Sequence, residues 1–318
     1  DVGDSSPLPV QVTYQTQSGS QSYVNLAGTN TFTGPLTLIK GNNVTTSYLT
    51  VGGVRTRDGS TPGTGTLGGG NYPGDISLDT TTILNFLTST NQILSGAISG
   101  AGALQLNGSN AVTLTGPSTF IGNTTVNASS ALVLGTTGDY TFNVTDTATN
   151  KITGAGTATL DGNFTIDASA VTLPGGTWTL VDTTTKTFDT NFSVTGPGSW
   201  SETAAGVWTG TDGVKTWTFT ESDGMLSLVS AGVFTSFGIP GASGVIDNTA
   251  LTINLFVPVG TDLATLAPDF TVSSGTVTAN GNAVTSGSPP SPTFFAQNPA
   301  TYTITDGATM NPYTVTVA

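Results

Sequence analysis

The chain has 318 residues, 36% of them hydrophobic and only 8% charged, with six Lys and Arg against 19 Asp and Glu for a net charge of −13. That balance excludes nucleic-acid binding, which needs a basic face to displace counterions, and docking on an anionic membrane surface. Histidine and cysteine are both absent, which removes disulfide staples, thiol redox, the common zinc sites and the Ser-His and Cys-His nucleophile pairs. Threonine makes up about a fifth of the residues; being β-branched and polar, it suits a pleated surface whose outer face is wet. The 42 glycines and 16 prolines fall between short apolar runs, as turn punctuation. No apolar run reaches the length of a membrane-spanning helix. Asp1-Val2-Gly3-Asp4 reads as a mature N-terminus left by signal-peptide removal, which predicts an exported protein.

Residues 1–25 are an N-terminal leader and strand: Val10, Val12 and Tyr14 share one face in period-two alternation with Gln11, Thr13 and Gln15. This strand is expected either to donate itself to a neighbouring subunit or to cap the first coil of a repeat region. From residue 26 the chain repeats. Gly28-Thr29-Asn30-Thr31-Phe32-Thr33-Gly34 matches Gly116-Pro117-Ser118-Thr119-Phe120-Ile121-Gly122 in spacing, and Ile98-Ser99-Gly100-Ala101-Gly102 matches Ile152-Thr153-Gly154-Ala155-Gly156. Short strands are predicted between them at 103–106, 112–114, 124–126 and 132–134. Residues 81–87 read equally as a buried strand or a turn of helix. Each strand is too short to bury its apolar face alone, and stacking one coil on the next solves that problem. The insert 52–80 interrupts the repeat. Its Gly63-Thr64-Gly65-Thr66-Leu67-Gly68 matches a dinucleotide fingerprint literally, but no helix comes after it to hold a phosphate, so it reads as a flexible loop.

The run Gly116-Pro117-Ser118-Thr119-Phe120-Ile121-Gly122-Asn123-Thr124-Thr125-Val126, continued by Leu132-Val133-Leu134-Gly135, resembles the autotransporter-associated β-strand repeat, with Leu26 to Thr37 as a partial second copy. The resemblance implies an all-β, right-handed parallel β-solenoid over 26–231, on the outside of a bacterium. This sequence carries no translocator-barrel pattern, so a complete autotransporter is not expected. All four tryptophans, Trp178, Trp200, Trp208 and Trp217, fall within 176–230, as an aromatic cap on the last coil or a glycan platform. Residues 232–318 carry strands at regular spacing (250–256, 269–272, 275–278, 301–304, 313–317) and read as a β-sandwich. The pattern Phe237-Gly238-Ile239-Pro240-Gly241 through Val257-Pro258 to Tyr313-Thr314-Val315-Thr316-Val317 resembles the immunoglobulin-like modules appended to bacterial surface proteins.

Carboxylates are the remaining catalytic candidates: Asp161, Asp167, Asp182, Asp189, Glu202 and Glu221. None forms an Asp-x-Asp cluster and the lysines Lys151, Lys186 and Lys215 stand apart, so the chain is not expected to be an enzyme or to carry a cofactor or metal. The expected function is extracellular and structural, a filament or stalk subunit that polymerises head to tail with itself. The alternative is a monomeric adhesin for glycans or a host surface, and a polysaccharide-active β-helix enzyme ranks third.

Overall fold

A computed structural model describes residues 9–13, 20–41, 44–173, 175–212, 215–230, 232–248, 250–263, 266–288, 298–306 and 309–318. Among the described residues the chain is all-β, with a 3-10 turn at Gly68–Gly70 and no α-helix. By internal contacts it divides into two compact units. The larger comprises 1–173, 177–210 and 218–227; the smaller comprises 174–176, 211–217 and 228–318.

The larger unit is built on parallel pairing between strands far apart in sequence. One eight-stranded sheet runs from Val10–Thr13 through Leu36–Ile39, Ile76–Leu78, Ile98–Gly100, Pro117–Ser118, Asp139–Thr145 and Asn163–Ala170 to Ser193–Thr195. A second, eleven-stranded sheet carries two such stacks, which meet on the long strand Ile152–Leu160. The register aligns apolar residues into ladders. Leu49, Leu84, Leu104, Thr124, Ile152 and Val181 form one. Tyr72, Leu94, Leu114, Leu134, Leu160 and Phe188 form another. Alternate residues of each short strand point inward, so an iBiB pattern such as that of Ala111–Leu114 buries Val112 and Leu114 completely. The predicted strands at 103–106, 112–114, 124–126 and 132–134 are all present, and 82–86 is strand.

The two sequence echoes have physical causes. Phe32 meets Tyr72 edge-on at 5.6 Å, and Phe120 meets Tyr140 in the same way at 5.6 Å. Each repeat phenylalanine thus packs on a tyrosine from a later strand. At the second echo, Gly100 takes φ +103, and a β-carbon there would lie 2.1 Å from the Leu78 carbonyl oxygen of the preceding coil. Only glycine permits both the backbone angle and the approach.

Polar side chains also stack. Asn107 donates to Asn85, and Asn127 donates to Asn107. The glycine-rich stretch 63–68 is held in place instead of hanging free. Leu67 is buried, its N–H donates to Gln92 Oε1 at 2.9 Å, and Asn30 Nδ2 donates to the Thr66 carbonyl at 3.1 Å. Tertiary hydrogen bonds override the looseness that the composition suggests.

The smaller unit has its own core. An antiparallel three-stranded sheet (Ala242–Ser243, Phe234–Ile239, Asp269–Val272) and a six-stranded sheet (Val245–Asp247, Thr252–Leu255, Thr309–Val317, Ala300–Asp306, Thr276–Ala279, Asn282–Ala283) contribute to one cluster. Phe234 contacts Tyr313 at 4.9 Å and Phe237 contacts Tyr302 at 4.9 Å. Burial raises the phenol pKa of Tyr302, which titrates above the ordinary tyrosine range. Asn311 is buried and donates to the Gly232 carbonyl at 3.0 Å, satisfying an interior amide.

Candidate functional site

Val10 and Val12 lie in a strand that pairs in parallel with its own chain, opposite Leu36 and Leu38. The Val10 N–H donates to the Pro35 carbonyl at 2.7 Å. Tyr14 lies outside the described residues.

The tryptophans do not form one surface. Trp178 is buried and its indole N–H donates to the Thr145 carbonyl at 2.8 Å; Trp217 is buried as well. Trp200 is half-buried over Gly210, where a β-carbon would come within 2.2 Å of the indole ring, and its N–H donates to the Pro197 carbonyl. Trp208 is half-buried, stands edge-on to Phe192 at 5.7 Å, and donates its N–H to Glu221 Oε1 at 2.8 Å.

The carboxylates are likewise separate and mostly employed. Asp161 accepts from the Asn191 N–H, the Asn191 amide and the Thr136 hydroxyl, and these bonds hold its carboxyl below the usual aspartate value. Asp167 accepts from Ser169. Glu202 Oε1 accepts the Gly206 N–H at 2.9 Å. No group of three His, Cys, Asp or Glu side chains among the described residues is placed to hold a metal ion.

Glu221, anchored by Trp208, lines the most distinctive concavity of the larger unit, an open groove of about 440 Å³. One wall is the strand Val181–Phe188, which contributes Lys186 and Phe188. The other is made by two turns, Ala205–Gly206 and the one opening at Glu221–Ser222, joined where the Glu221 N–H donates to the Gly206 carbonyl at 2.9 Å. Gly206 takes φ +70 at the tight turn after Ser199–Ala204, and a β-carbon there would stand 3.2 Å from Glu221 Oε2. Phe188 belongs to a cluster with Phe192 (4.7 Å), Phe219 (5.8 Å) and Phe164 (6.2 Å), so its ring is rigidly backed. The groove therefore combines an aromatic ring, a carboxylate fixed by an indole, an ammonium and the hydroxyls of Thr220 and Ser222. Such a set binds polar, ring-shaped ligands, with the ring on the aromatic face and hydroxyls on the charged groups.

The smaller unit has a cleft of about 460 Å³, between Pro240 and Pro258, with Thr261 and Asp269 on its lining. Phe256 and Val259 are exposed on the neighbouring loop. In the sequence Glu221 and Trp208 stand out as candidates, whereas Lys186 is isolated. Its position in the groove depends on strand register, which composition does not reveal.

Residues 234–317 match the family model described as "SGBP, N-terminal", the N-terminal domain of starch- and glycan-binding proteins. A solved structure described as a "putative glycoside hydrolase" from Bacteroides thetaiotaomicron is 34% identical over 27% of this chain and 24% of that one. The TM-score of 0.22 carries no argument about fold, and the chain spans about a quarter of that protein's length. No curated protein matches the chain.

Proposed function

We propose that the protein binds glycans at the surface of a bacterium and acts without catalysis. The observation that carries this reading is the match of 234–317 to a glycan-binding family; that family belongs to cell-surface proteins of Bacteroidetes. Hydrolysis is not favoured in this chain. Hydrolysis of a glycosidic bond needs two cooperating carboxylates, whereas Glu202 and Glu221 are already bound to the Gly206 N–H and the Trp208 indole.

In this reading the stacked parallel strands are a right-handed β-solenoid over 26–231, whose repeat resembles that of autotransporter passengers. Residues 232–318 are an immunoglobulin-like β-sandwich, and 1–25 lead into the first coil. Self-assembly into a filament has less support, because Val10–Thr13 pairs within its own chain.

Affinity electrophoresis of the whole chain through gels containing a panel of neutral and acidic polysaccharides tests the proposal. Retarded migration in at least one gel is the expected result. Unretarded migration across the panel, or release of reducing sugar from any member, overturns it.

A further inference from the structure

The groove of the larger unit contains an arrangement that the fold does not require. Lys186 occupies a core-facing rung of the second sheet, in register with Ala158, Leu132 and Val112. The three residues below it are fully buried and apolar. A lysine at the head of such a ladder can carry its stem along the apolar wall only if the ammonium reaches water, and the groove supplies that opening. Across the groove, Glu221 uses Oε1 for the Trp208 indole, while Oε2 faces the bare backbone of Gly206. Lys186 and Glu221 form no ion pair with each other or with another described residue. An open donor and an open acceptor thus face one solvent-filled groove, with the Phe188 ring beside them.

We infer that this groove binds a neutral pyranoside through two adjacent hydroxyls, one accepting from the Lys186 ammonium and one donating to Glu221 Oε2, with the sugar ring against Phe188. The inference rests on the proposed glycan-binding function and names the ligand class and its site. Charge decides between the candidate sugars. A uronate satisfies Lys186 but confronts Glu221 and a chain of net charge −13. An amino sugar satisfies Glu221 but confronts Lys186. A neutral vicinal diol satisfies both, because each hydroxyl is donor and acceptor at once.

The test uses the full chain in calorimetric titrations with three sets of probes: malto-, cello- and xylo-hexaose, polygalacturonate and alginate oligomers, and chitosan oligomers. Lys186→Met keeps the aliphatic stem on an apolar rung, and Glu221→Gln keeps an acceptor for the Trp208 indole; circular dichroism checks that both variants fold. A neutral hexaose should bind with an affinity that barely changes up to about 1 M salt, where charge contacts are screened. Each variant should weaken it about tenfold or more, the loss expected when a charged hydrogen-bond partner is removed. Binding of the acidic or cationic oligomers alone overturns the neutral-diol inference and leaves glycan binding standing. Neutral binding undiminished in both variants overturns the assignment to this groove. Failure of all three sets to bind overturns the inference and the broader reading together.

Discussion

Glycine substitutions along the repeat offer a graded test of coil-on-coil packing, because different glycines are required for different reasons. A β-carbon added at Gly96 would lie 2.3 Å from the Gly74 carbonyl oxygen of the preceding coil, and Gly116 stands in the same relation to Gly96 at 2.5 Å. Reaching even 3.0 Å forces the coils apart by at least 0.7 Å (3.0 − 2.3). The neighbouring bonds that set the spacing, Ile76 N–H to Ala97 O at 2.7 Å and Ser95 N–H to Tyr72 O at 2.9 Å, would stretch to 3.4 and 3.6 Å (2.7 + 0.7, 2.9 + 0.7). Both leave the range of a sound hydrogen bond. Overpacking and two weakened bonds together predict a loss of about 2–4 kcal/mol for Gly96→Ala. Gly69→Ala meets open space but keeps φ +65, so only left-handed strain of about 1–2 kcal/mol applies. Gly59→Ala meets neither obstacle and should be neutral, or stabilising by about 0.4–1 kcal/mol through the unfolded chain. Guanidinium denaturation followed by tryptophan fluorescence, comparing midpoints at equal slope, measures the series. If Gly96→Ala is no more costly than Gly59→Ala, the coils are not held at the spacing described.

Tyr140 is fully buried with its hydroxyl 2.8 Å from Thr124 Oγ1, and burial raises its phenol pKa beyond the ordinary range. Tyr140→Phe should leave the interior threonine hydroxyl short of a partner and cost about 1–3 kcal/mol in the same denaturation assay; an unchanged midpoint would refute that. The Asp161 carboxyl is held below its ordinary value of 3.8 by the Asn191 N–H first and the Thr136 hydroxyl second. A depressed folded-state pKa stabilises fully above 3.8 and is lost as pH falls through the lower folded value. Wild type should therefore exceed Asp161→Asn in thermal midpoint at neutral pH, and the gap should close as pH falls below 3.8 and through the lower folded value. A gap that is constant with pH would show that the carboxylate charge is not involved.

Much of the architecture is written in residue order. Inward positions at 84, 104 and 124 recur every 20 residues. Glycines recur where successive strand layers touch backbone to backbone, and threonines fill many of the outward positions. That pattern is enough to predict stacked short strands, because each strand's apolar face has no cover except the next coil. The site is different. Lys186 belongs to Asp182-Thr183-Thr184-Thr185-Lys186-Thr187-Phe188, where strict alternation from the buried Val181 and Thr183 puts Thr185 and Thr187 inside and Lys186 outside. A register shift opposite Gly154 to Thr157 reverses the alternation, aligning Lys186 with Ala158 and Phe188 with Leu160. Trp208 and Glu221 are equally plain in sequence, yet only the pairing of two turns through Gly206 brings them across from that lysine. Periodicity along a strand is local and survives in the sequence; a one-residue slip between strands is a property of their pairing, and it decided which side chains line the groove.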